Sequence, residues 1–177
     1  EPLWDRAVPN HGGGAVASGE SWTVIGGPQH GPGFRDDPAT FDLRDYVVVV
    51  SEPDGVIVET LVGSDTEPGD RFGLDVAVSG NRVAVGAPAA DGEQGAVYVF
   101  TLSDGGVTET KILPEPGDGS EFGARVALDG TRLVVLDHGG EARGVFPLDG
   151  LVDMFLCHGS PIRCKRVRRV QSGLNAG

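Results

Sequence analysis

Cysteine is nearly absent from this chain: Cys157 and Cys164 are the only two among 177 residues, and both lie close to the C-terminus. No disulfide therefore staples the long stretch before them, which must hold itself by packing, and the redox compartment stays open. Lysine is as scarce, with Lys111 and Lys165 alone. Neither follows a glycine-rich turn, so a Gly-x-x-x-x-Gly-Lys phosphate loop and the nucleotide chemistry it serves are excluded. Long apolar runs are missing too. The longest lies around Tyr46–Val50, far short of a membrane-spanning helix, so membrane insertion is not expected. A secretory signal is also lacking, and the first residue is Glu1, not Met, which suggests a processed, trimmed or partial chain.

What is present is glycine and proline, 29 and 12 residues, set between short valine-rich runs where they read as turn residues of an all-β fold. Hydrophobic residues make up 39% and charged residues 23%, enough apolar material for one folded unit with a core. The formal net charge of -12 is unevenly spread. After Gly150, Arg163, Lys165, Arg166, Arg168 and Arg169 face only Asp153, so everything before them is strongly acidic. An acidic body repels nucleic acid and anionic lipid and attracts cations or basic partners, and nucleic acid is not an expected ligand.

Internal repetition organises the chain. The stretch Arg71-Phe72-Gly73-Leu74-Asp75-Val76-Ala77-Val78-Ser79-Gly80-Asn81-Arg82-Val83-Ala84-Val85 is echoed by Glu121-Phe122-Gly123-Ala124-Arg125-Val126-Ala127-Leu128-Asp129-Gly130-Thr131-Arg132-Leu133-Val134-Val135, at an offset of 122 minus 72, or 50 residues. A weaker upstream copy puts His11-Gly12 where Phe-Gly stands and keeps Val16, Ser18-Gly19, Val24-Ile25 and Gly26-Gly27-Pro28. The second halves align as well, Tyr46–Val50 with Asp54-Gly55 and Glu59-Thr60 matching Val97–Leu102 with Asp104-Gly105 and Glu109-Thr110. Within a copy, Leu74, Val76 and Val78 alternate with Asp75, Ala77 and Ser79, the period of a half-buried strand. Ser79-Gly80-Asn81-Arg82 supplies a tight type II′ hairpin, Val83–Val85 returns, Gly95–Leu102 makes a third strand, and Val107–Leu113 a fourth. Four antiparallel strands per unit describe a propeller blade.

Phe72-Gly73, Gly86-Ala87-Pro88 and the third strand Gly95–Phe100 resemble the FG-GAP repeat of integrin-α-type β-propellers, over most of residues 11–150. The third copy keeps Phe122-Gly123 but reads Leu136-Asp137-His138 where Gly-Ala-Pro belongs. The resemblance implies an all-β fold of about three four-stranded antiparallel blades, an incomplete ring, since complete propellers take roughly four to eight. It divides the chain into a degenerate first blade with an N-terminal extension (1–62), the best-preserved blade (63–113), a degenerate third blade (114–156) and a basic tail (157–177). The remaining blades are expected from a longer chain or from self-association. Both signatures also have a physical reading: Phe wedges between sheets, the following Gly permits close approach, and Pro88 ends the second strand.

Candidate sites are few. Relatives hold calcium in the loop between the first two strands, but Ser79–Arg82 and Asp129–Arg132 are too short and too poor in carboxylates to surround an ion, so no cofactor is expected. Acidic loops recur at Asp65–Asp70, Asp91–Glu93 and Glu115–Glu121, and turn chemistry explains them as well as a ligand does. Asp91 and Glu93 are the weak metal candidates. His11-Gly12-Gly13-Gly14 resembles an esterase oxyanion segment, yet no Gly-x-Ser-x-Gly occurs, and His11, His30, His138 and His158 lack zinc spacing. The basic tail reads as solvated, as a fold-back onto the acidic body, as a contact for an acidic partner, or as sequence foreign to the repeats; Cys157 and Cys164 are bridged or reduced. The expectation is a non-enzymatic repeat module of a secreted or cell-surface protein that binds protein or glycan in adhesion. The alternatives are a structural spacer, or a propeller-borne hydrolase or lectin.

Overall fold

The computed structural model describes residues 15–27, 45–114, 121–138 and 148, and the backbone alone of three strands, at 142–147, 154–158 and 163–167. His11-Gly12 and Pro28 of the first copy, and residues 115–120 of the third acidic loop, lie outside the described residues.

Three antiparallel sheets follow one another along the chain, each an up-and-down meander. The first contains β1 (Ala15–Ser18), β2 (Trp22–Gly27), β3 (Tyr46–Ser51) and β4 (Ile57–Leu61). The second contains β5 (Val76–Ser79), β6 (Arg82–Ala87), β7 (Ala96–Ser103) and β8 (Gly106–Ile112). The third contains β9 (Arg125–Asp129), β10 (Arg132–Leu136), β11 (Ala142–Pro147), β12 (Met154–His158) and β13 (Arg163–Val167). The first strands β1, β5 and β9 touch in succession, and the sheets stack face to face without closing into a barrel, as blades of a partial propeller do. Outer strands β4 and β8 are largely exposed.

The hairpins obey the 50-residue offset residue for residue. Ser79 pairs with Arg82 and Val76 with Val85, just as Asp129 pairs with Arg132 and Val126 with Val135. Gly80 (φ 57°) and Gly130 (φ 54°) supply the positive φ that the first central position of a type II′ turn demands. Elsewhere the alignment drifts. Leu61 lies opposite Val47 and Ile112 opposite Val97, so the fourth strands of the first two sheets stand one residue off the sequence alignment, because the β3–β4 turn is longer than the Asp104-Gly105 turn and the register shift at Val49/Val50 makes up only part of the difference.

Two expectations need correction. Leu74 lies before the strand, not within it: its N–H bonds the Arg71 carbonyl in a turn, and β5 begins at Val76. The second sheet is also not half-buried, since Val76 and Ala77, on opposite faces of β5, are both buried. Val76, Val83, Val85, Tyr98 and Phe100 pack with Val24, Val47 and Val49 of the first sheet, while Ala77, Ala84, Val97 and Val99 pack with Val126, Leu133 and Val135 of the third. The small residues on the second face read as polar-side positions in sequence, yet they admit a neighbouring sheet.

The third sheet has five strands, against the four expected. Residues after Cys157 do not leave the sheet at once: β13 pairs with β12 from Met154 opposite Val167 to His158 opposite Arg163. Pairing satisfies backbone groups that β12 would otherwise present as an open edge.

Candidate functional site

The two signature motifs meet in space. Within the second sheet the Gly73 N–H donates to the Gly86 carbonyl (3.0 Å) and the Gly86 N–H to the Asp75 carbonyl (2.9 Å), so Phe-Gly and Gly-Ala-Pro are two sides of one backbone junction. Between sheets the same glycines stand almost in backbone contact. A Cβ on Gly26 would collide with the Gly73 carbonyl, and one on Gly86 with the Gly123 carbonyl. Gly26 and Gly86 are structurally equivalent, lying opposite Val47 and Val97 respectively. Each therefore receives the Phe-Gly turn of the following sheet, and any side chain there drives the sheets apart.

Beside each junction an aromatic ring fills the space the backbones leave. Phe72 is completely buried, edge-on to Tyr98 (centroids 5.4 Å, 69°) and Phe100 (6.1 Å, 87°). Phe122 is buried against the second and third sheets, its N–H donating to the Gln94 carbonyl (3.1 Å) next to a parallel bridge with Gly95. Ala87 and Pro88 are buried at the end of β6. Arg71 (φ 58°) and Glu121 (φ 52°), each just before its Phe, share a left-handed backbone, and their side chains approach at 3.7 Å.

The acidic loops lie at this same end. The loop from β4 to β5 and the single turn α1 (Ala90–Glu93), left-handed at Asp91 and Gly92, converge on one cation. The Lys111 ammonium sits 2.8 Å from Asp65 Oδ2 and 2.8 Å from Asp91 Oδ2, and 5.4 Å from the centre of the Tyr98 ring, whose hydroxyl donates to Asp65 Oδ1 (2.7 Å). Burial opposes the Lys111 charge, but hydrogen bonds to Asp65 and Asp91 outweigh it and hold its pKa above the ordinary value. Burial likewise opposes the Asp65 carboxylate, and hydrogen bonds from Lys111 and Tyr98 hold its pKa below the usual range. Tyr98 is raised by burial and by the neighbouring Asp65 charge. Further contacts knit the loops: Ser64 donates through N and Oγ to Glu109 (3.0 and 2.7 Å), the Ala89 N–H donates to the Asp70 carbonyl (3.1 Å), and Glu121 lies 3.0 Å from His138 Nδ1.

Of the two weak metal candidates, then, Asp91 is engaged by Lys111 and Glu93 is exposed. No group of three or more His, Cys, Asp or Glu side chains suited to a metal occurs among the described residues. Sequence reasoning missed Lys111 as the centre of this cluster. Its signal was its rarity, a single lysine in a strongly acidic body, but nothing in the repeat placed it opposite Asp65, 46 residues earlier.

Residues 57–100 match the family model of the FG-GAP repeat. The chain carries an FG-GAP repeat. The matched FG-GAP segment begins in β4 of the first sheet and ends in β7 of the second, so one sequence unit straddles two sheets and ties them covalently. No curated protein matches the chain. Among solved structures, the crystal structure of the computationally designed Ika4 protein is similar at 15% identity and a TM-score of 0.42, over 80% of this chain and 94% of that one. A likeness of that size bears on neither fold nor function here.

Proposed function

We propose that this FG-GAP chain is a non-enzymatic repeat module of a secreted or cell-surface protein, which presents the loop end of its stacked sheets to a protein or glycan partner. One observation carries the reading: loops from successive sheets are joined into a single acidic face. Asp65 and Asp91 meet at Lys111, the loop of Asp70 bonds the loop of Ala89, and the turn of Phe122 bonds Gln94. Internal bonds commit the charge of Asp65 and Asp91 to cohesion, leaving exposed Glu67 and Glu93 on the rim of a body with a strong negative field. A rim of this kind favours a basic protein segment or a neutral glycan over an anionic ligand. The family resemblance supports the module reading and the extracellular setting.

The test is a Glu67→Gln/Glu93→Gln double variant, assayed against a panel of lysine- and arginine-rich peptides and neutral glycans. Affinity for the selected ligand should fall several-fold while the melting temperature stays within a degree or two, as expected of exposed positions away from structural features. Ligands that bind both proteins equally would sink the proposed face, and a panel with no ligand would leave the repeats as a structural spacer. Asp91 is a poor probe for the same purpose, because replacing it strips Lys111 of a partner.

A further inference from the structure

We infer that the third sheet is a terminating blade, whose outward face rejects another FG-GAP blade instead of receiving one. Sheets dock here through one repeated device. The residue of the second strand that lies next to the Phe-Gly turn of the following sheet is Gly26 in the first sheet and Gly86 in the second. The pairing register fixes the corresponding residue of the third. Gly86 stands one step beyond the Val85–Val76 pair, and Leu136 stands one step beyond the equivalent Val135–Val126 pair. A leucine side chain thus projects where a Cβ alone already collides with the next backbone in both existing interfaces.

A second, independent position agrees. The second sheet takes hold of the third through acceptors on β5 and just before it: Asp75 Oδ2 accepts the Val126 N–H (2.8 Å) and Ser79 Oγ accepts the Gly130 N–H (2.9 Å). The position equivalent to Asp75 is Arg125, paired with Leu136 as the third sheet's register requires. Arginine has donors only, so it cannot take a backbone N–H from a further blade, and unlike Ala15, which holds the equivalent place in the first sheet, it sets a long charged side chain at the contact. Arg125 is exposed. The third sheet grows sideways, through β13.

The full chain with a second copy of residues 63–113 joined to its C-terminus tests this by amide hydrogen exchange. In the appended copy, the amides corresponding to Val76 and Gly80 take the places that Val126 and Gly130 hold in the native interface. They should exchange at unprotected rates as the chain stands, and at least tenfold more slowly once Arg125→Asp and Leu136→Gly are introduced. Protection in both fusions, or in neither, overturns the inference. A reciprocal variant of the unfused chain, Asp75→Arg/Gly86→Leu, imports the third sheet's residues into the second. Val126 and Gly130 should then lose protection while the β6–β7 ladder keeps its own, and retained protection at Val126 and Gly130 also overturns the inference. Should that variant fail to fold, the fusion pair decides alone.

Discussion

Between the first and second sheets the glycine junction is flanked by Phe72, Tyr98, Phe100 and a wall of valines, whereas between the second and third it is flanked by Phe122, by Ala77 and Ala84 among valines and Leu133, and by hydrogen bonds that Asp75 and Ser79 accept from, and Arg82 donates to, the backbone of β9 and its turn. The backbone geometry is shared and the adhesive is not. An apolar filling is non-directional and tolerates small rotations of one sheet on another. Directed bonds fix the rotation but contribute only about 0.5–1.5 kcal/mol each, because water competes for the same groups. The comparison teaches that the repeat specifies how close two sheets come, while each interface chooses separately what holds them.

The largest effect that would sharpen this contrast is expected from the wedge residues. Phe72→Ala should destabilise by about 3–5 kcal/mol, the usual range for a buried Phe, and Phe122→Ala should fall at or below the lower end of that range because Ala77 and Ala84 on the facing sheet present it with small side chains. Urea unfolding of both variants checks the order, and equal losses would erase the distinction between the interfaces. Gly26→Ala follows, at about 1–3 kcal/mol or more, since its methyl meets a backbone carbonyl that cannot swing away.

Asp75→Ala should cost about 1–2 kcal/mol by leaving the Val126 N–H without its acceptor. Amide exchange should quicken at Val126 and stay unchanged across the first interface; Asp75→Asn, which keeps an oxygen acceptor, should restore most of the protection. Smallest is the effect of Lys111→Met, about 1 kcal/mol or less at neutral pH because Asp65 and Asp91 are well exposed. Its signature lies in pH. The depressed Asp65 pKa contributes stability that is present above the unfolded value near 3.8 and is lost as pH falls through the folded value. The raised Lys111 pKa contributes stability that is present below its ordinary 10.5 and is lost as pH rises past the folded value. Both limbs of the pH–stability profile should flatten in the variant, and an unaltered profile would show that the cluster does not couple to folding.

Much of this architecture was legible because the hairpins β5–β6 and β9–β10 repeat residue for residue, and the turn glycines at 80 and 130 mark each one. Phe72-Gly73 and Gly86-Ala87-Pro88 were legible as a pair of signatures, though not as a single hydrogen-bonded junction, since pairing across a hairpin depends on register that only the folded sheet fixes. The strand β13 was hidden by its charge: Arg163-Cys164-Lys165-Arg166 has none of the apolar alternation that announces a strand. The Lys111 cluster was hidden for a different reason. It joins residues from an interstrand loop, a turn and an outer strand, and neither Asp65 in the loop nor Asp91 in the turn belongs to the stretches that repeat at the 50-residue offset.

Face-to-face sheets ordinarily lie about 10 Å apart, but at the glycine row neighbouring backbones touch. Two surfaces pinched at one place and propped open by Phe72 or Phe122 at another form a wedge, and the angle of that wedge is set by the difference between a missing side chain and a benzyl ring. The splay of successive sheets, and with it the number that would complete a turn, is thus written chiefly in residues that contribute no atoms beyond the main chain.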